Sequence, residues 1–175
     1  RAPEGTLFCL EGAGPLQAIR HGLCIPNSLA FSPGNDTLYF ADSLHYRIYA
    51  HAYVAETGRM GEARVFAESA PPAFPDGSAV DVEGCVWNAE FNGGRILRYR
   101  PNGSLDRVIS LPVDCPTCCA FGGPNLDILY ITSTSQNMTE AELQAMPEGG
   151  TLTIDLSDTP DTVTVRVTGS FFQVH

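Results

Sequence analysis

The chain is 175 residues long, with 10 Lys and Arg against 20 Asp and Glu, a formal net charge of -10. That length suits about one domain with a real core, and the acidic balance argues against a phosphate-backbone partner such as nucleic acid. Hydrophobic residues at 43% and charged residues at 17% argue against a disordered chain, and no apolar run reaches the ~18 residues of a membrane span.

The first residues, Arg1-Ala2-Pro3-Glu4-Gly5, carry no basic segment leading into an apolar run, which gives the expectation of a cytoplasmic protein. Two short strands follow, Thr6-Leu7-Phe8-Cys9-Leu10 and a second reaching Ile19, split by Gly12-Ala13-Gly14. They resemble the later pair Ile96-Leu97-Arg98-Tyr99 and residues 105–109, so residues 1–23 read as the closing half of a repeat unit.

Three fuller units come next, at residues 24–73, 74–114 and 115–175. They open on Pro26-Asn27-Ser28, Pro75-Asp76-Gly77 and Pro116-Thr117-Cys118, and the opening prolines are 49 and 41 residues apart. A second apolar run follows in each, with its aromatic (Tyr39, Trp87, Tyr130) 13, 12 and 14 residues after the proline. Third and fourth runs complete each unit. Four short strands in roughly 40–50 residues is the period of a β-propeller blade. The predicted fold is therefore all-β, a propeller of four-stranded antiparallel blades, with about three and a half blades in this chain. Thr139 to Met146 reads as a short helix, with Thr139 and Glu142 as a capping box, inserted into the last blade. An open arc of blades leaves strand edges that invite self-association.

In a propeller the first strand of each blade lines the channel, so Asn27, Asp76 and Thr117 are expected to converge on the axis. An amide oxygen and a carboxylate are hard ligands suited to Ca²⁺, Mg²⁺ or Mn²⁺, and they can hold Zn²⁺. Two ligands do not complete a site, and Pro-Asn and Pro-Asp-Gly equally suit turns entering a strand. The six cysteines (Cys9, Cys24, Cys85, Cys115, Cys118, Cys119) fall mostly in or beside apolar runs and read as packed thiols, with a local disulfide as the alternative. Cys115, Cys118 and Cys119 lack a second Cys or His pair, and a zinc-thiolate cluster is not expected.

The words Ile25-Pro26-Asn27-Ser28-Leu29-Ala30-Phe31, Leu38-Tyr39-Phe40-Ala41-Asp42, Phe74-Pro75-Asp76-Gly77 and Pro116-Thr117-Cys118-Cys119-Ala120-Phe121-Gly122-Gly123, in this order, resemble the gluconolactonase/regucalcin (senescence marker protein) lactonase family. The resemblance implies a six-bladed ring, of which this chain matches the C-terminal half or slightly more. It also implies one divalent cation held by a Glu, an Asn and an Asp. Asn27 and Asp76 match the Asn and the Asp, with Asp76 assisting the attacking water in hydrolysis of a sugar lactone to the aldonic acid. The family's metal Glu stands in a G-E-G/S-P word that does not occur here. A catalytically silent propeller fragment or binding module, completed by a missing half, is therefore the alternative. Ser28 replaces the family's usual Gly, a change of backbone freedom beside Asn27.

Overall fold

The computed structural model describes residues 2–134, 151–156 and 164–168. The helix expected at residues 139–146 lies outside them. Four antiparallel sheets follow one another along the chain. The first is a two-stranded sheet of β1 (Gly5–Cys9) and β2 (Gln17–Leu23). The second runs β3 (Pro26–Phe31), β4 (Thr37–Asp42), β5 (Arg47–Val54), β6 (Arg59–Glu68), with a single 3₁₀ turn, η1 (Ser43–His45), after β4. The third is β7 (Phe74–Val80), β8 (Val86–Phe91), β9 (Arg95–Tyr99), β10 (Leu105–Ser110). The fourth is β11 (Pro116–Gly122), β12 (Ile128–Ser133), β13 (Thr151–Asp155), β14 (Thr164–Thr168). Each full sheet is an up-and-down meander, the form of a propeller blade.

The core lies between blades. Successive side chains of a strand point to opposite faces. On β4, Leu38 and Phe40 therefore pack toward β1–β2, while Tyr39 and Ala41 pack toward the third sheet. On β8 and β9, Val86 and Leu97 join that same layer, whereas Trp87, Ala89 and Ile96 face the fourth sheet with Cys119, Leu129, Ile131 and Ile154. Strands buried on both faces need continuous apolar runs, which is why the second runs of the repeat read that way in the sequence. At the rim of the third sheet Arg98 is shared among carboxylates. Its Nη2 donates to Asp81 at 2.7 Å and its Nη1 to Asp106 at 2.6 Å, and it also pairs with Glu83. The same guanidinium lies 5.5 Å over the Trp87 ring, whose indole N–H donates to Asp81 at 2.8 Å.

The first strands of the three full blades are neighbours. Ser28 on β3 and Ser78 on β7 share a hydrogen bond at 2.5 Å. Between β7 and β11 the approach is closer still. A Cβ on Gly77 would stand 2.5 Å from the Cys118 sulfur and 2.8 Å from its Cα, so only glycine fits there.

Candidate metal centre on the inner strands

Each inner strand carries a register shift near its opening proline: between Asn27 and Ala30 on β3, between Pro75 and Ser78 on β7, and between Pro116 and Cys118 on β11. A bulge inserts an unpaired residue and re-aims its side chain. Asp76 and Thr117 fall within these shifts, whereas the repeat-equivalent Asn27 stays paired with Ala41 at the edge of its own. Ser28, the bulged residue of β3, has φ of 59°. That left-handed conformation is one glycine adopts freely and serine rarely.

The amide of Asn27 is held in one orientation. Ser43 donates its hydroxyl to the Pro75 carbonyl at 2.7 Å. Its oxygen is thereby left to accept, and it takes the Asn27 Nδ2–H at 2.9 Å. Asn27 must present Nδ2 to Ser43, so its Oδ1 is the atom turned away. This relay ties Asn27 to the residue just before Asp76, across two blades.

The backbone around Asp76 has its own support. The bulge takes the Asp76 and Gly77 carbonyls out of the ladder, and the amide of Asn88 on β8 donates to them at 3.1 and 3.3 Å and to the Ser78 hydroxyl at 3.0 Å. Asn88 is fully buried. The Asp76 carboxyl is half-buried, and burial pushes its pKa up to about 6, offset in part by the Gly77 N–H.

A cation fits this pair of residues. More deeply buried carboxylates have partners: Glu90 pairs with Arg95, Asp81 with Arg98 and the Trp87 N–H, and Asp42 accepts two backbone N–H groups. Among the described residues Asp76 has no cationic partner and Asn27 Oδ1 has no donor, which leaves two hard oxygens for a divalent ion. A cavity of about 410 Å³ opens beside Asn27, which lines it with Ser28, Gly77, Ser78 and Cys118 among others. Asp76 is not in its wall. Thr117 is turned sideways and shares a hydrogen bond at 2.7 Å with Thr132 on β12, so the structure joins Asn27 to the Asp76 strand but gives Thr117 a partner within its own blade.

Several features escaped the sequence. Cys118 is exposed and faces the cavity instead of packing, while Cys119 beside it is buried and its thiol is pushed up to about 12. None of the six cysteines, all of which are described residues, forms a disulfide. Ser43 and Asn88 were not singled out. A signal for Asn88 existed, since it occupies the repeat position that holds Phe40 and Ile131 in the neighbouring blades. A polar residue inside a doubly buried strand asks for a partner.

The raised Asp76 pKa has a consequence for stability. Between the ordinary carboxylate range and about 6 the folded chain binds a proton that the unfolded chain does not. Its contribution therefore stabilises the cation-free chain as pH falls through about 6 and is lost as pH rises. In thermal melts at about pH 5 and about pH 7.5, the difference in midpoint between Asp76→Asn and the parent chain is expected to favour the variant at the higher pH and to shrink at the lower. A difference independent of pH would show that Asp76 does not titrate there.

Comparison with known proteins places this architecture. Residues 1–135 match the model of the SMP-30/Gluconolactonase/LRE-like region. The chain is 36% identical over 148 residues to 6-deoxy-6-sulfogluconolactonase of Pseudomonas putida, covering 83% of this chain and 50% of that protein. It is 36% identical over 149 residues to regucalcin of Xenopus laevis, covering 84% of this chain and 50% of the relative. The crystal structure of regucalcin from Agrobacterium tumefaciens, described as a calcium-binding protein, superposes with a TM-score of 0.82 at 31% identity, over 90% of this chain and 53% of that one. The chain thus spans about half the length of the relatives it matches. Among the described residues no helix is long and apolar enough to cross a membrane.

Proposed function

The chain belongs to the SMP-30/gluconolactonase/LRE-like family, and from that premise we propose that it acts in the hydrolysis of a sugar lactone to the aldonic acid, with one divalent cation held by Asn27 and Asp76. Residues 1–175 are read as one propeller segment of a larger ring. The carrying observation is the Asn27–Ser43–Pro75 relay, which fixes an amide oxygen next to the strand of a half-buried, uncompensated carboxylate.

A bound cation supplies Lewis-acid polarisation of the ester carbonyl. The residues of the chain do the rest. Asp76 accepts a proton from the water that adds to the carbonyl carbon. The ring C–O bond then breaks, and the proton passes to the departing ring oxygen. Asn27 contributes a neutral oxygen ligand. Ser43 and Asn88 act as positioning residues, holding the amide of Asn27 and the bulge of Asp76. The two oxygens suit Ca²⁺, Mg²⁺, Mn²⁺ or Zn²⁺, and calcium is the ion named for the Agrobacterium tumefaciens protein. A cytoplasmic setting accords with six cysteines and no disulfide.

The test is hydrolysis of a panel of sugar δ- and γ-lactones by the purified chain, stripped with a chelator and then given back each cation. Cation-restored turnover supports the reading. Cation binding without hydrolysis of any lactone favours the second reading, a catalytically silent propeller arc, which the missing G-E-G/S-P word motivates. Ser43→Ala provides a finer check. It strands the Asn27 amide and the Pro75 carbonyl, and cation affinity measured by calorimetry is expected to fall about tenfold or more, as for other residues that orient a metal ligand. Unchanged affinity would show that the relay does not orient a ligand.

A further inference from the structure

A second group of metal-ligating atoms lies in the same blade, outside the pair just described. The Cys24 sulfur, an Asp42 oxygen and a His45 ring nitrogen all lie within 4.8 Å of one another. We propose that these three residues form a separate site for a zinc-type ion, with water as the remaining ligand. This site does not rest on the lactonase reading.

The parts are prepared for it. Asp42 is only 2% exposed, and its two oxygens accept the backbone N–H groups of Cys24 and Ile25 at 2.9 Å each. The carboxylate is therefore oriented without help from His45, and each oxygen keeps a lone pair. Those two donors are neutral, so a buried negative charge remains to be balanced. His45 ends η1, and its Nδ1 stands 3.7 Å from Asp42 Oδ2. That gap is too long for a hydrogen bond. It is within a few tenths of an ångström of the edge, about 3.4 Å, spanned by two ligands bound at about 2.1 Å around one tetrahedral ion. Cys24 is half-buried beside them and adds a soft ligand. Sulfur, imidazole and carboxylate together select zinc and its neighbours over the hard cations that suit an oxygen pair.

The other such cluster, Asp81, Glu83 and Cys85, does not invite the same assignment, because Arg98 and the Trp87 N–H already compensate its carboxylates. In the Cys24 cluster no guanidinium or ammonium group competes among the described residues. Filling it would staple η1 to the start of β3, closing a loop of about twenty residues through one ion.

Cobalt(II) is the probe, because its spectrum reports the ligand type independently of any turnover. Added to the metal-free chain, it is expected to give a thiolate-to-cobalt charge-transfer band in the near ultraviolet and the strong visible bands of four-coordinate cobalt, and zinc is expected to displace it. Cys24→Ser should abolish the charge-transfer band. His45→Ala, at a side chain 55% exposed and so of little consequence for folding, should weaken cobalt binding at least about tenfold. Asp76→Asn should leave the band intact, since it touches only the oxygen pair. Circular dichroism of each metal-free variant confirms that it is folded. The proposal is overturned if cobalt gives no charge-transfer band, if the band survives Cys24→Ser, or if His45→Ala binds as the parent does.

Discussion

Asp76→Asn is expected to remove cation-dependent lactone hydrolysis, lowering kcat/KM by a factor of about 10² to 10⁴, the range of a positioned general base, with the lost metal ligand adding to it. The substitution is close to isosteric. The carboxyl it replaces has a single backbone N–H as partner and no cation among the described residues, so nothing in the packing of β7 depends on its charge. The variant should keep its fold, melt at higher temperature than the parent in the absence of cation near neutral pH, and fail to bind the ion in a calorimetric titration. That combination of better stability and lost function marks a residue kept for its chemistry. Retained turnover with intact cation dependence would take Asp76 out of both roles, and would leave Asn27 without the partner that the relay through Ser43 and Pro75 brings near it.

Trp87→Ala carries the largest expected cost in stability, about 3–5 kcal/mol, a large fraction of what a domain of this kind possesses. Trp87 is 3% exposed and serves three partners. Its ring meets Phe121 of the next blade edge to face, with centroids 5.9 Å apart at 88°. Its indole N–H donates to Asp81, and Arg98 lies over its face. Removal opens a cavity between the third and fourth blades and takes one donor from a carboxylate that is only 13% exposed. The unfolding midpoint in urea reads the loss. Trp87→Phe separates the contributions, because it keeps most of the ring and deletes the N–H. It is expected to recover well over half of the stability. Equal damage from both substitutions would assign the effect to the Asp81 hydrogen bond and not to the packing between blades.

The blades were legible in the sequence because each repeats the same physical problem. A strand buried between two neighbours must be apolar on both faces, and Leu38 to Ala41, or Val86 and Trp87, show that without ambiguity. The positions of Asn27, Asp76 and Thr117 were legible for the same reason, as the residues after three equivalent prolines. Their environments were not. The orientation of Asn27 depends on Ser43, sixteen residues away and on a 3₁₀ turn. The bulge at Asp76 depends on Asn88, from the next strand. The room for the Cys118 side chain depends on Gly77 of another blade. Such contacts follow from how strands register and how blades approach, and a list of spacings does not contain either. Ser28 lies between these cases: a departure from glycine was visible in the sequence, but only φ of 59° shows a conformation that glycine adopts freely and serine rarely.

The recurrence of the bulge in three neighbouring inner strands breaks each ladder at the same end of its blade. Ser28 meets Ser78 and Gly77 meets Cys118, so these strands lie against one another next to their irregular turns. The break is a property of the backbone and owes little to the identity of the residue at or beside it. Donor type is thus decoupled from scaffold: amide, carboxylate and hydroxyl stand at residues 27, 76 and 117, and an exchange among them leaves the apolar layers between blades in place.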